Sequence, residues 1–359
     1  MAAAIVAVHL LLVALHKEFC LNQLTMSIYY AIVVIGLCLL MGYAGQVSLG
    51  HGAFFAIGGY TTAILTTRNF AAHEGSPWGA ALKACGAFVS KQDTYGEQVF
   101  TASPWAAFIA AMVLTLVVAT LIGYPALRLK GHYLAMATLG FGMIIYKIVG
   151  ASEFTGAADG ISSVPAWSLF GVLTVSGKSS LRVQNYYIAS GIALVLIVLM
   201  WNLLHSRVGR ALQAIHDRET AANAMGINTA GYKLRAFVAS ALLASIAGVF
   251  YTHYSGGISP SEASALKSVR YVALAAAGGM ANLWGVAVMS IGLNFLSLRG
   301  WFGTLDNAVF GAILITIVSL APEGPLKPLG LWIRRLFGRR PSKRSKTATA
   351  PEDDKRAAA

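Results

Sequence analysis

Eight stretches of this sequence contain no Asp, Glu, Lys or Arg: residues 1–16, 19–67, 98–127, 131–146, 183–206, 236–261, 271–298 and 307–322. A bilayer core of about 30 Å needs roughly 20 mostly apolar residues per helix. The 49-residue run 19–67 holds two such helices, so about ten segments are expected. Charged types make up 11% of the chain and apolar types 57%, whereas a soluble domain is about 25% charged. The sequence predicts an all-α, polytopic membrane protein with about ten transmembrane or half-membrane helices.

Other classes fall away. The net charge of +13 sits at the ends of apolar runs and not on a basic face studded with aromatics, so no nucleic-acid partner is expected. Cys20, Cys38 and Cys85 are too few for a disulfide scaffold and match no zinc ligand spacing. A Cys20–Cys85 bridge requires both outside the cell; free thiols are the expectation. The eight histidines are scattered without metal-ligand spacing, and no catalytic constellation is present, so neither an enzyme nor a cofactor site is expected. Ser176-Gly177-Lys178-Ser179 resembles the end of a phosphate-binding loop, but that motif needs glycine at 172, which is Val. Residues 1–16 lack a basic leader and read as a first helix, not a cleaved signal.

Basic side chains near span ends stay on the cytoplasmic side. Lys327 to Arg356 carries ten Lys and Arg against three acids, the loop Arg207–Arg235 five against two, and Leu127–His132 two more. Placing all three inside accounts for 17 of the 27 basic residues. Spans then fall near 2–15, 26–41, 52–65, 104–126, 133–150, 186–204, 236–254 and 307–321, with both termini cytoplasmic. Segments 66–103 and 151–185 face outward. Parity requires the run 271–298 to cross twice or re-enter. Its middle, Gly278-Gly279-Met280-Ala281-Asn282, favours a break, so two short segments, 269–279 and 285–298, are expected. A packed hairpin and a pore-facing gate, with Gly278 and Gly279 at its hinge, both fit. The division is a permease domain over 1–333, containing a cytoplasmic loop at 206–235, and a basic tail over 334–359. The tail's composition beyond Pro341 suggests disorder and a topology anchor on anionic membrane lipid.

Two internal segments stand out. Ala211 to Met225 contains no Gly or Pro, and Gly226 is placed as its C-terminal stop. Leu212, Ile215, Ala222 and Met225 share one helical stripe. Such a helix docks in another protein's groove or lies on lipid headgroups; composition leaves both open. The second segment, 42–52, holds glycines at 42, 45, 50 and 52, with Gln46, Ser48 and His51 inside an uncharged run. Buried polar groups without partners are costly. Gly45, Gln46, Ser48, Gly50 and His51 therefore either line or gate a solute path, or pack tightly with neighbouring carbonyls. The acids, Glu262 among them, fall outside the span cores, which disfavours an ion-coupled carrier.

Glu219-Thr220-Ala221-Ala222-Asn223-Ala224-Met225-Gly226 resembles the EAA loop of bacterial ABC importer permeases, a loop that fits the cleft of an ATP-hydrolysing subunit. The Ala-Ala-x-x-x-Gly spacing is kept, the Glu stands one place earlier than the general pattern, and its apolar-Pro ending is absent. Both departures are usual in the branched-chain amino-acid permeases of LivM type, which the chain resembles over nearly its whole length. The carrying segments, in the family's order, run from Gly42 to Phe54, Leu127 to Gly142 and Thr155 to Ser162. The EAA-like loop, Ile258 to Ser261 and Asn282 to Gly285 follow. The resemblance implies a bacterial inner-membrane permease subunit for branched-chain amino acids. Its implied partners are two cytoplasmic ATP-binding subunits, a homologous second permease and a periplasmic substrate-binding protein. It also implies ATPase coupling through Leu212, Ile215, Glu219, Ala221, Ala222, Met225 and Gly226. Related permeases carry urea or short amides, and an ion-coupled secondary transporter is the alternative from another class. Two features depart from the family: it usually has an acid at the place of Ile144, after Gly140-Phe141-Gly142, and it is commonly more apolar where this chain has Lys267 and Arg270.

Overall fold

The computed structural model describes residues 2–14, 18–70, 86–92, 98–127, 131–169, 171, 173–300 and 306–320. All ten predicted segments are helical: α1 (Ala2–Ala14), α2 (Cys20–Cys38), α3 (His51–Thr67), α4 (Pro104–Ala126), α5 (His132–Ala151), α6 (Arg182–His205), then, after the loop helices α7 (Arg207–Asp217) and α8 (Glu219–Ala224), α9 (Thr229–Ser255), α10 (Ala265–Ala277), α11 (Leu283–Leu298) and α12 (Asp306–Leu320). Cys20–Tyr43, Pro104–Ala126, His132–Ala151, Ser179–His205 and Thr229–Ser255 are each long and apolar enough to cross a bilayer. The chain is a multi-pass membrane protein. Cys20 and Cys38 are buried free thiols. The described residues belong to one unit, Met1–Pro325; the expected boundary at 333–334 and the basic tail lie outside them.

Helix α2 is central because it is apolar all round. Tyr29, Ala31, Ile32, Val33, Val34 and Leu37 are all fully buried, packed against α6, α9, α10 and α11. The peripheral helices carry large apolar side chains outward instead. Ile109, Leu121 and Met136 are 60–72% exposed, as expected of faces solvated by lipid or by another membrane subunit. Small residues bring α3 and α9 together: a Cβ at Gly248 would stand 2.0 Å from the Phe55 carbonyl oxygen. Close backbone approach of this kind drives helix association where the solvent is itself apolar. Thr115 Oγ1 donates to Ser245 Oγ at 2.9 Å between α4 and α9.

Among the described residues beyond the helix ends, the segments 66–103 and 151–185 carry short strands. Backbone amides that leave a helix need new partners, and short antiparallel ladders supply them. β1 (Phe88–Gln92) pairs with β2 (Gln98–Ala102), and β4 (Trp167–Leu169) with β5 (Leu173–Val175). β3 (Ile161–Ser162) pairs with β6 (Gly257–Ile258). Trp167, 1% exposed, stacks on Phe250 of α9 at 4.8 Å, fixing the β4–β5 hairpin to the bundle.

The run 271–298 is broken as expected. Tyr43 Oη donates to the Ala281 carbonyl at 2.8 Å and the Cys38 thiol to the Met280 carbonyl at 3.1 Å, at the C-terminal end of α2. Gln23 Nε2 donates to the Leu298 carbonyl at 3.0 Å near the α2 start. Helix α11 therefore runs antiparallel to α2, and α10, tied to Tyr30 through Lys267 at 3.1 Å, begins beside the middle of α2. The two form a hairpin of short helices.

One expectation is corrected. Glu262 does not stay at a span edge away from the core. It sits on a 3-10 turn, Pro260–Ala263, and its carboxylate turns inward to Tyr30 Oη (3.2 and 3.3 Å) and Lys267 Nζ. Its side chain is 6% exposed. The buried carboxylate is tolerated because a cation and two tyrosines compensate it.

Candidate coupling and translocation site

The loop after α6 holds two helices, not one. The run Ala211–Met225 contains no breaker, yet Arg218 is extended (φ −152°, ψ 101°) and splits it. Ser206 caps α7, its Oγ accepting from Val208 N at 3.2 Å. Helix α8 is instead tied to α9. Glu219 pairs with Lys233 at 2.7 Å, and Thr229 Oγ1 donates to Asn223 Oδ1 at 3.0 Å. The extended residue Arg218 breaks the helix between α7 and α8. Gly226, at φ +82°, ends α8 in the left-handed region as the sequence predicts.

The apolar stripe is also divided. Leu212, Ile215 and Ala222 are 1–3% exposed and face this chain's own bundle, while Met225 is 82% exposed. Ala221 and Gly226 are exposed with it. Three members of the stripe therefore anchor the loop, and Met225, Ala221 and Gly226 form its free edge.

The glycine segment is irregular where the sequence predicts it. Helix α2 continues into one π-helical turn, Leu39–Tyr43, a distortion common at functional sites. Residues 44–50 form no helix, and α3 starts only at His51. This irregular backbone is buried in alternation: Ala44, Gln46 and Ser48 are 2%, 5% and 0% exposed, while Gly45 and Val47 are exposed. Gln46 N donates to the Leu40 carbonyl at 3.0 Å, while its Oε1 has no partner among the described residues. Ser48 Oγ accepts from Gly50 N at 3.5 Å, and Leu49 N donates to Thr138 Oγ1 of α5 at 3.0 Å. His51, fully buried, shares a 2.6 Å hydrogen bond between Nε2 and Ser240 Oγ of α9. Its partner is a hydroxyl and not a carbonyl.

The structure brings the separate sequence features into contact. Gly45 (φ +66°) lies so close to α7 that an added Cβ would stand 2.8 Å from His216 Nδ1. Gly42, in the π-helical turn, lies against the broken hairpin, where a Cβ would fall 1.8 Å from the Met280 carbonyl oxygen. Gly278 is closed against Val286 across the break, and Gly279 (φ +82°) makes the turn. A path of contact thus runs from the His216 side chain of α7, through the backbone of the glycine segment, to the α10–α11 hairpin. Sequence reasoning missed His216; its place in the basic loop gave no sign of that contact.

A bundle of this hydrophobicity, with a broken hairpin and a half-buried irregular linker joined to a polar-side loop, defines a membrane transport subunit. Residues 19–318 match the family described as the permease component of branched-chain amino acid transport systems, and the chain belongs to that family. It is 29% identical over 84% of its length to the high-affinity branched-chain amino acid transport system permease protein LivM of Salmonella typhimurium, covering 68% of that protein. It is 25% identical to the high-affinity branched-chain amino acid transport system permease protein BraD of Pseudomonas aeruginosa, over 85% of this chain and 94% of that one. A fructose import permease protein, FrcC of Rhizobium meliloti, is 25% identical over 52% of this chain and 46% of its own. No solved structure matches the chain.

Proposed function

We propose that this chain is the membrane-spanning permease subunit of an ATP-driven importer for branched-chain amino acids, a conduit with no catalytic step of its own. It would work in a bacterial inner membrane with a homologous second permease, two cytoplasmic ATP-binding subunits and a periplasmic substrate-binding protein. Both termini and the α7–α8 loop would face the cytoplasm. The contact of His216 on Gly45, together with that of Gly42 on Met280, carries this reading. A force applied to the free edge at Met225 has a packed route to the hairpin. Cores are bistable rather than continuously deformable, so small displacement of α7 would switch the linker and hairpin between two arrangements. The engine must bind those arrangements unequally, since only differential affinity shifts an equilibrium.

Two substitutions test it in cells carrying the partner subunits. Glu219→Lys replaces the pair with Lys233 by two like charges. Gly226→Pro cannot adopt φ +82°. Each should abolish leucine uptake while membrane insertion, followed by immunoblot of the membrane fraction, stays intact; full uptake with either overturns the coupling role. Uptake that survives ATP depletion yet collapses with an uncoupler would instead identify an ion-driven carrier.

A further inference from the structure

Between α2, α10 and α11 lies a cavity of about 120 Å³, lined by Tyr30, Lys267, Arg270, Tyr271, Asn294 and Ser297 among others. Tyr271 is 2% exposed and Asn294 5% exposed, and neither Tyr271 Oη nor Asn294 Nδ2 has a partner among the described residues. Lys267 Nζ has three N–H bonds; one goes to Glu262 Oε1 and one to Tyr30 Oη, leaving a third. A buried donor without an acceptor costs about 1–3 kcal/mol, so two such side chains around one cavity mark a place built for something else to fill.

The chemistry of the missing group follows. Glu262 is held against Lys267 by Tyr30 and, at 3.5 Å, by Tyr251, and Arg270 places a second cationic side chain on the cavity wall. Tyr271 Oη and Asn294 Nδ2 each lack an acceptor among the described residues. Lys267 and Tyr271 also stand in the first two turns of the 13-residue helix α10, whose N-terminal end carries partial positive charge. A cavity this size holds several waters, or a carboxylate in their place.

We propose that Lys267, Tyr271 and Asn294 form the site that receives the carboxylate of the transported amino acid. The assignment rests on the function proposed above and names the solute group that this part of the chain recognises.

The test uses the complete transporter in proteoliposomes. Cys20, Cys38 and Cys85 are replaced by alanine, and Ser297→Cys places a thiol on the cavity wall. Leucine at millimolar concentration should slow modification of that thiol by a neutral thiol reagent at least fivefold. Leucinol, which differs only in lacking the carboxylate, should not. Adding Tyr271→Phe or Asn294→Leu should remove the protection by leucine, and both should cut leucine uptake tenfold or more in complexes that still co-purify with the ATPases. Equal protection by leucinol, or no protection by leucine in a complex that pumps leucine, overturns the site and leaves the importer function standing. A complex that moves no amino acid at all overturns the function and the site together.

Discussion

At the scale of single residues, the polar side chains in the uncharged run 19–67 were conspicuous from sequence, but their partners were not. Nothing near His51 in the chain indicates Ser240, 189 positions away. Because His51 Nδ1 has no partner among the described residues, Ser240→Ala orphans the whole ring and should cost about 1–3 kcal/mol. Replacing both groups, His51→Leu with Ser240→Ala, removes the demand along with the supply and should cost less than Ser240→Ala alone. Thermal unfolding of the purified chain in detergent gives the comparison, and additive losses would mean the 2.6 Å contact contributes nothing. Transport by Gln46→Ala and His51→Ala then separates packing from gating, since unchanged uptake with normal expression leaves these residues a structural role only. Glu262 shows the opposite limit of sequence reading. Its position just past an apolar run placed it at a span edge, but a single 3-10 turn reverses its side chain into the bundle.

At the scale of elements, hydrophobic runs located the ten helices because the bilayer demands length and apolar composition whatever the neighbours are. The break at Gly278–Asn282 was equally legible, since Gly-Gly and Asn are local signals and Asn282 Oδ1 does cap α11, accepting from Gly285 N at 3.2 Å. The break at Arg218 was not, because tertiary contacts impose it: α8 follows α9 through Lys233 and Thr229, and no residue in between is a breaker. Periodicity likewise found the stripe of Leu212, Ile215 and Ala222 without revealing that it faces inward. The contact between α7 and the glycine segment makes a prediction of its own. Gly45→Ala brings a methyl within 2.8 Å of His216 Nδ1 and forces a side chain into φ +66°, so uptake should fall about tenfold. Adding His216→Ala relieves the collision and not the backbone strain, so it should restore part of the rate. Initial rates of leucine uptake decide this, and an unchanged rate in the double variant relative to Gly45→Ala would place the defect in the backbone alone.

At the scale of the whole molecule, orientation is the property on which the coupling reading stands or falls, and charge counting along the sequence gives it a definite form. The five basic residues of Arg207–Arg235 predict that the loop lies in the cytoplasm, and parity then predicts the β4–β5 hairpin on the opposite side. The two surfaces offer well-exposed reporters: Met225 is 82% and Leu173 44% exposed, whereas Leu212 is 1% exposed. The natural thiols Cys20 and Cys38 are buried, and Cys85 can be replaced by alanine. A membrane-impermeant maleimide should therefore label Met225→Cys in inside-out vesicles but not in intact spheroplasts. Leu173→Cys should behave in the reverse sense, and Leu212→Cys should react from neither side until the protein is denatured. The buried control separates sidedness from accessibility, because a loop that had merely unfolded would expose Leu212→Cys as well. Labelling of Met225→Cys from the periplasmic face would put the free edge beyond reach of any ATP-driven partner. The packed route through His216, Gly45 and Met280 would then have no input.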